Sequence, residues 1–190
     1  MTKTKTQTEN AKISAAALHL AATQGWENVT LDAVARGAKI SPALFKKRFV
    51  EPHELAAVIV KEISREALAD AGKPSGAAHD IFFDLLMARF DVLQKNRKAI
   101  LSIAEAARCD LALSRSLTRE VLNGLYSVID VAALHAPPRP VLAAGLSAVY
   151  GWAFLAWRRD ESRDMAKTMA ALDRGLRLAG KAMGVLIQRF

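Results

Sequence analysis

Residues Asn28–Leu55 read NVTLDAVARGAKISPALFKKRFVEPHEL, and this stretch decides the fold. Thr30 is a capping residue whose hydroxyl accepts a backbone N–H of the turn that follows. Leu31, Val34 and Ala35 then put apolar groups on one face of a short helix. Gly37, Ala38 and Lys39 are small or tolerant residues where the chain must turn. Ile40 returns to the core, and Ser41 followed by Pro42 is a cap with proline at the first position of a second helix. In that helix Leu44, Phe45 and Phe49 face inward, leaving Ala43, Lys46 and Lys47 outward with Arg48 beside them. Two short helices, a tight turn and a basic outer face suit the major groove of DNA, with the start of the second helix toward the phosphates. The same charge run also describes a small hairpin with a solvated face.

Working outward, Ile13, Ala17, Leu18 and Ala21 form the apolar stripe of a preceding helix that ends near Gly25, and another helix opens at Pro52. Residues Met1–Asn10 are polar and rich in Thr and Lys, which reads as a short disordered arm. Lys3, Lys5 and Lys12 add at most a non-specific attraction to phosphate. No apolar segment of signal-peptide length stands there, so a cytoplasmic location is expected.

With Gly25-Trp26, Val29-Thr30-Leu31, Val34-Ala35, Ala38, Ile40-Ser41, Phe49 and Leu55 in this order, the stretch resembles the TetR family of one-component transcriptional repressors. The resemblance implies an all-α subunit: a three-helix helix-turn-helix domain over residues 1–55, and a helical-bundle ligand-binding and dimerisation domain over residues 56–190. It implies DNA contacts from Thr30 to phosphate, from Ser41, Pro42 and Ala43 at the start of the recognition helix, and from Lys46 and Lys47 to backbone and base edges. It also implies release of a pseudo-palindromic operator when a small apolar ligand binds. Three positions depart from the family pattern. Lys39 replaces the usual turn glycine, Lys46 the usual tyrosine, and Pro52 the usual lysine that follows. Lys46 reaches as far as a phenol hydroxyl but does not stack as one.

A second resemblance lies in Ile81–Arg97 and Ala156–Leu176, through the spacing of Trp157, Asp160, Ser162, Thr168, Leu172-Asp173 and Leu176. These segments are similar to TetR-like proteins whose C-terminal domain resembles the lipid-binding accessory protein of ubiquinone biosynthesis. That similarity implies an apolar ligand. It supplies an alternative function, the presentation of lipid or quinone precursor at a membrane surface.

The 190 residues carry 27 Lys and Arg against 19 Asp and Glu, a net charge of +8, which favours a polyanionic partner without choosing between nucleic acid and an anionic membrane. The single cysteine, Cys109, sits among Ala106, Ala107 and Leu111 and reads as a small buried thiol. His19, His53, His79 and His135 are scattered, with no ligand spacing for a metal, and neither a phosphate loop nor a nucleophile motif is present. The expectation is a binding protein with no cofactor, no metal and no enzymatic activity.

The segment Gly72–Gly76 is the clearest break, and helices follow over about Ala77–Gln94, from Asn96 to about Ala107, and from Asp110 or Ser114 to Leu134. Arg115, Arg119, Glu120 and Asp130 read as surface positions of the last of these. Val141–Trp157 holds no charge, and its small residues Ala144, Gly145, Ala148 and Gly151 fit a buried or interface helix better than a membrane span. A final helix carries Met165, Met169, Leu172, Leu176, Leu178 or Ala179, Met183, Leu186 and Ile187, with Arg174, Arg177, Lys181 and Arg189 giving it a basic end. The TetR resemblance pairs these last two helices with their mates in a homodimer. It also puts a ligand pocket among the bulky apolar residues Phe82, Leu86, Phe90, Ile103, Leu125 and Trp152.

Overall fold

The computed structural model describes residues 2–72, 74–133 and 137–187, with residues 2–5, 183 and 185–187 in backbone only. The side chains of Lys3, Lys5, Met183, Leu186 and Ile187, and all of Leu134, His135 and Arg189, lie outside the described residues. Among the described residues the chain is all helical: α1 (Thr2–Gln24), a single 3-10 turn (Trp26–Asn28), α2 (Leu31–Gly37), α3 (Pro42–Arg48), α4 (His53–Ala71), α5 (Ala78–Lys95), α6 (Arg97–Ala106), α7 (Leu111–Ala132), α8 (Arg139–Arg158) and α9 (Ala166–Ile187). The packing forms two compact units, residues 1–66 with 92–121, and residues 67–91 with 122–190. Thus α4, α5 and α7 each run through the division, while α6 belongs wholly to the first unit.

In the first unit, Ile13, Ala17, Leu18 and Ala21 bury one side of α1, and Trp26, Val34, Ala35, Ala38, Phe45, Phe49 and Leu55 complete the headpiece core. Helix α6 packs on α1 and on the 3-10 turn, adding Ala99, Ile100 and Ile103. The Trp26 N–H donates to Ser102 Oγ at 2.8 Å, which ties the Gly25-Trp26 corner to α6. Gly37 is needed for close approach, since a Cβ there would stand 3.1 Å from that of Ala16 on α1.

The N-terminal arm differs from expectation. No glycine or proline interrupts residues 2–12, and α1 continues through them. Arg48 of α3 holds this extension, donating to Glu9 at 3.3 Å and to Asn10. Cys109 also differs: α6 ends at Ala106, and the thiol stands exposed in the turn that leads to α7. The Asp110 carboxylate caps α7 by accepting from the Leu113 N–H at 2.9 Å. Glu120, expected at the surface, is buried on α7, with Lys61 Nζ at 3.7 Å and Arg119 Nε at 3.3 Å.

In the second unit α8 and α9 pack along one another. Leu142, Leu146, Val149, Tyr150, Ala153 and Trp157 bury one side of α8, against Thr168, Leu172 and Leu176 of α9. Gly175 permits the contact, because a Cβ there would meet Val149 Cγ1 at 3.0 Å. Close approach within the chain therefore uses Gly175. The small residues of α8 point elsewhere: Ala144, Ala148 and Gly151 are exposed, and Gly151 faces open space.

The corner between α8 and α9 is closed by Asp160. Its buried carboxylate accepts from the Ser162 N–H and hydroxyl and from the Thr168 N–H and hydroxyl, both Thr168 bonds at 2.8 Å. Burial alone pushes this carboxyl up. The hydrogen bonds from Ser162 and Thr168 outweigh it and lower the pKa from 3.8 to about 2. Of the residues behind the second resemblance, Trp157, Asp160, Ser162, Thr168, Leu172 and Leu176 are packing or capping residues of α8, α9 and their corner.

Candidate nucleic-acid interface

The interface is built from the local signals at its two ends. Thr30 caps α2, its Oγ1 accepting from the Ala33 N–H at 3.3 Å, so its hydroxyl proton is free to donate outward. At the other end α2 closes in a Schellman turn. The Ile40 N–H donates to Ala35 O at 2.9 Å and the Lys39 N–H to Arg36 O at 3.1 Å. Lys39 takes the left-handed conformation that this turn requires, at φ 57°, although it is not glycine. Ser41 then holds the cap position of α3, with its carbonyl accepting from the Phe45 N–H at 2.9 Å. Its hydroxyl makes no capping bond, contrary to the usual role of a capping serine.

Helix α3 is seven residues long, so its inner face has room for few side chains. Phe45 and Phe49, four residues apart, occupy it with ring centroids 4.8 Å apart. Leu44 was expected inside with them. It lies about 100° around the helix from Phe45, beyond that face, and is 63% exposed. Ser41, Pro42, Ala43, Leu44, Lys46 and Lys47 thus form one exposed surface.

The three cations of α3 differ in what they touch. Lys46 Nζ lies 3.0 Å from Asp32 Oδ1 on α2. Arg48 turns toward Glu9 and Asn10, with its guanidinium carbon 4.9 Å from the centre of the Phe49 ring. Lys47 carries no ion pair among the described residues. Of the six positions named from the sequence, Ser41, Pro42, Ala43, Lys46 and Lys47 are exposed on α3 and its cap, Thr30 is exposed separately at the start of α2, and Lys46 is already engaged by a carboxylate. Sequence reading missed both Asp32 and the exposure of Leu44. The only signal for Asp32 was an acidic residue in the first turn of a helix preceding a basic one.

The residues expected to line a ligand pocket are divided. Phe82, Leu86, Phe90 and Leu125 are buried in the second unit, and Phe90 stacks on Tyr150 at 5.3 Å. Arg89 is buried beside them and donates to the Tyr150 hydroxyl at 3.0 Å. Ile103 is buried in the first unit, with the headpiece. Trp152 is 43% exposed on the outer face of α8. An open groove of about 870 Å³ runs instead between α5 and α9, lined by His79, Asp80, Phe83, Asp84, Met169, Asp173 and Arg177. In it Nδ1 of His79 lies 3.1 Å from Asp80. Its Nε2 lies 3.2 Å from Asp173, outside hydrogen-bond geometry, while Arg177 Nε binds both Asp173 oxygens at 3.1 and 3.0 Å.

No family model matches the chain, and no curated protein does. Solved structures do match. A TetR transcriptional regulator from Nitrosomonas europaea is 24% identical, with 90% of this chain and 97% of that one covered and a TM-score of 0.71. A TetR transcriptional regulator from Rhodococcus sp. RHA1 is 15% identical over 92% and 97%, with a TM-score of 0.70. The flavonoid-responsive regulator FrrA is 18% identical over 92% and 96%, with a TM-score of 0.51. Nearly the whole chain, helix-turn-helix and helical body together, has the fold of TetR-family transcriptional regulators.

Proposed function

We propose that this protein is a cytoplasmic, homodimeric, DNA-binding transcriptional regulator, a repressor that leaves its operator when a small apolar ligand binds. The observation that carries the proposal is the exposed surface of Ser41, Pro42, Ala43, Lys46 and Lys47 on a helix held by a Schellman turn behind a capped α2. Residues 1–55 read DNA, with Thr30 adding a phosphate contact through its free hydroxyl proton. Residues 56–190 bind ligand and dimerise.

The dimer forms through α8 and α9. Val141, Ala144, Ala148, Gly151, Trp152 and Leu155 leave an uncharged exposed stripe on α8, and this is the one described helix long and apolar enough to cross a membrane. A second copy laid on the stripe removes it from water, and its small residues let the backbones approach. Two headpieces so joined read a pseudo-palindrome whose half-sites lie on the order of 34 Å apart.

The ligand sits among Phe82, Leu86, Phe90 and Leu125, whose side chains give the site its apolar character. Release is a population shift: ligand favours a form in which the two headpieces no longer match successive grooves. Helix α5 passes from one unit into the other, and α6 follows it directly, bearing the Ser102 that holds Trp26.

Fluorescence anisotropy of the full chain against the DNA upstream of its gene, over a salt series, tests the reading. Tight binding that prefers this sequence and falls steeply with salt is expected, with Lys47→Ala about tenfold weaker and its salt slope shallower by about 1. Weak binding, equal on unrelated DNA, would falsify it. A saturating ligand that leaves operator affinity unchanged overturns the release mechanism.

A further inference from the structure

We infer that Asp32 is a positioning residue that holds Lys46 away from phosphate and so lowers the sequence-independent affinity of the headpiece for DNA. The inference deepens the DNA-binding reading above and rests on it. Its starting point is the 3.0 Å contact between Lys46 Nζ and Asp32 Oδ1, which links α3 to α2 across the turn.

Both partners belong where they are for local reasons. Asp32 lies in the first turn of α2, where a carboxylate complements the unpaired N–H groups of the helix start. Lys46 follows the buried Phe45 by one residue, which turns its stem outward and toward α2. The Schellman turn at Lys39 fixes the angle between the two helices, so the ion pair is a product of the turn as much as of the two side chains.

The consequence is electrostatic. A lysine that neutralises a phosphate releases a counterion, and each such contact steepens the fall of affinity with salt. A lysine that stays with a carboxylate releases none. Asp32 is also 49% exposed at its side chain, so it opposes the approach of any polyanion. Arg48 is engaged in the same manner by Glu9 on α1. The outer face of α3 is thus less cationic in effect than the run Lys46-Lys47-Arg48 reads, and Lys47 is the cation it offers freely.

The test is a double-mutant cycle in the full-length protein: wild type, Asp32→Asn, Lys46→Met and the double variant. Anisotropy is read on a short random-sequence duplex and on the upstream DNA over a salt series. Asp32→Asn is expected to bind the random duplex about 3- to 10-fold tighter at low salt, with a slope steeper by about 0.9. In the Lys46→Met background the same substitution is expected to give a much smaller gain and no change of slope. A gain of equal size in both backgrounds overturns the inference, since it would report net charge alone. The random duplex requires only affinity for a polyanion. A full Asp32 effect with no preference for the upstream sequence therefore sinks the regulator reading and leaves the restraint standing, and absence of salt-dependent binding in all four proteins overturns both.

Discussion

The turn between α2 and α3 and the corner between α8 and α9 solve the same problem by different means. Each redirects the chain behind an exposed surface, and each places a residue other than glycine at positive φ, Lys39 at 57° and Met165 at 54°. The first turn is held by two backbone hydrogen bonds, and the Lys39 side chain points into solvent. The second is held by the buried Asp160 network, and the Met165 side chain is itself buried. Strain that a core side chain offsets is thereby distinguished from strain that nothing in the core offsets. The surfaces behind them also differ: α3 presents Leu44 among cations, whereas α8 presents Trp152 and Leu155 among alanine and glycine.

The largest expected effect falls on the α8 surface. Trp152→Glu combined with Leu155→Glu puts unpaired charge into the proposed dimer face and should weaken the dimer by about 3 kcal/mol or more, over a hundredfold. Analytical ultracentrifugation reads it as a shift to monomer at micromolar protein, with the helical content by circular dichroism unchanged. A dimer that persists would separate the α8 stripe from self-association.

Next come the two devices at the α8–α9 corner. Met165→Gly relieves the positive φ but empties a buried site, for a net loss of about 2–3 kcal/mol in denaturant melts. Asp160→Asn should cost about 2 kcal/mol at neutral pH. The folded pKa of Asp160 is depressed to about 2 from 3.8. Its stabilisation is therefore fully present above the unfolded value and lost as pH falls through the folded one. Wild type should lose this increment between about pH 4 and pH 2, and the Asn variant should show a flatter profile over that window. Parallel acid profiles for the two would show that the four hydrogen bonds are not the source of the shift.

The smallest effect has the opposite sign. Lys39→Gly relieves a left-handed conformation with no buried side chain to lose, and should stabilise the protein by about 0.5–1 kcal/mol. Loss of stability there would mean that the lysine makes up for its φ, and the contrast with Met165 would fail.

Much of this arrangement is legible in the chain because it is encoded locally. Thr30 before Leu31, Ser41 before Pro42 and the break at Gly72–Gly76 mark helix ends within a few residues, and the stripe Ile13, Ala17, Leu18, Ala21 marks the buried side of α1. What escaped depends on which neighbour a face meets. Leu44 carries the same apolar side chain inside or outside, and only the width of the Phe45–Phe49 face excludes it. Trp152 looked like pocket wall, and Ile103 like a companion of Phe90, until packing put one on an exposed face and the other with the headpiece. Cys109 looked buried among alanines until α6 ended before it.

Apart from the first turns of α1, the sequence by itself determined the helices, their order and the helix-turn-helix, since capping, turn chemistry and hydrophobic period act over a few residues and need no partner. Tertiary structure alone decided that Lys46 rests on Asp32, that Arg48 holds the first helix, that Asp160 locks a corner under four donors, and that the uncharged stripe of α8 faces outward. Except for the Asp160 corner, whose donors lie two and eight residues away, each of these is a contact between separate helices or a choice between two faces of one helix, and the energy that makes the choice exists only once the neighbouring element is in place.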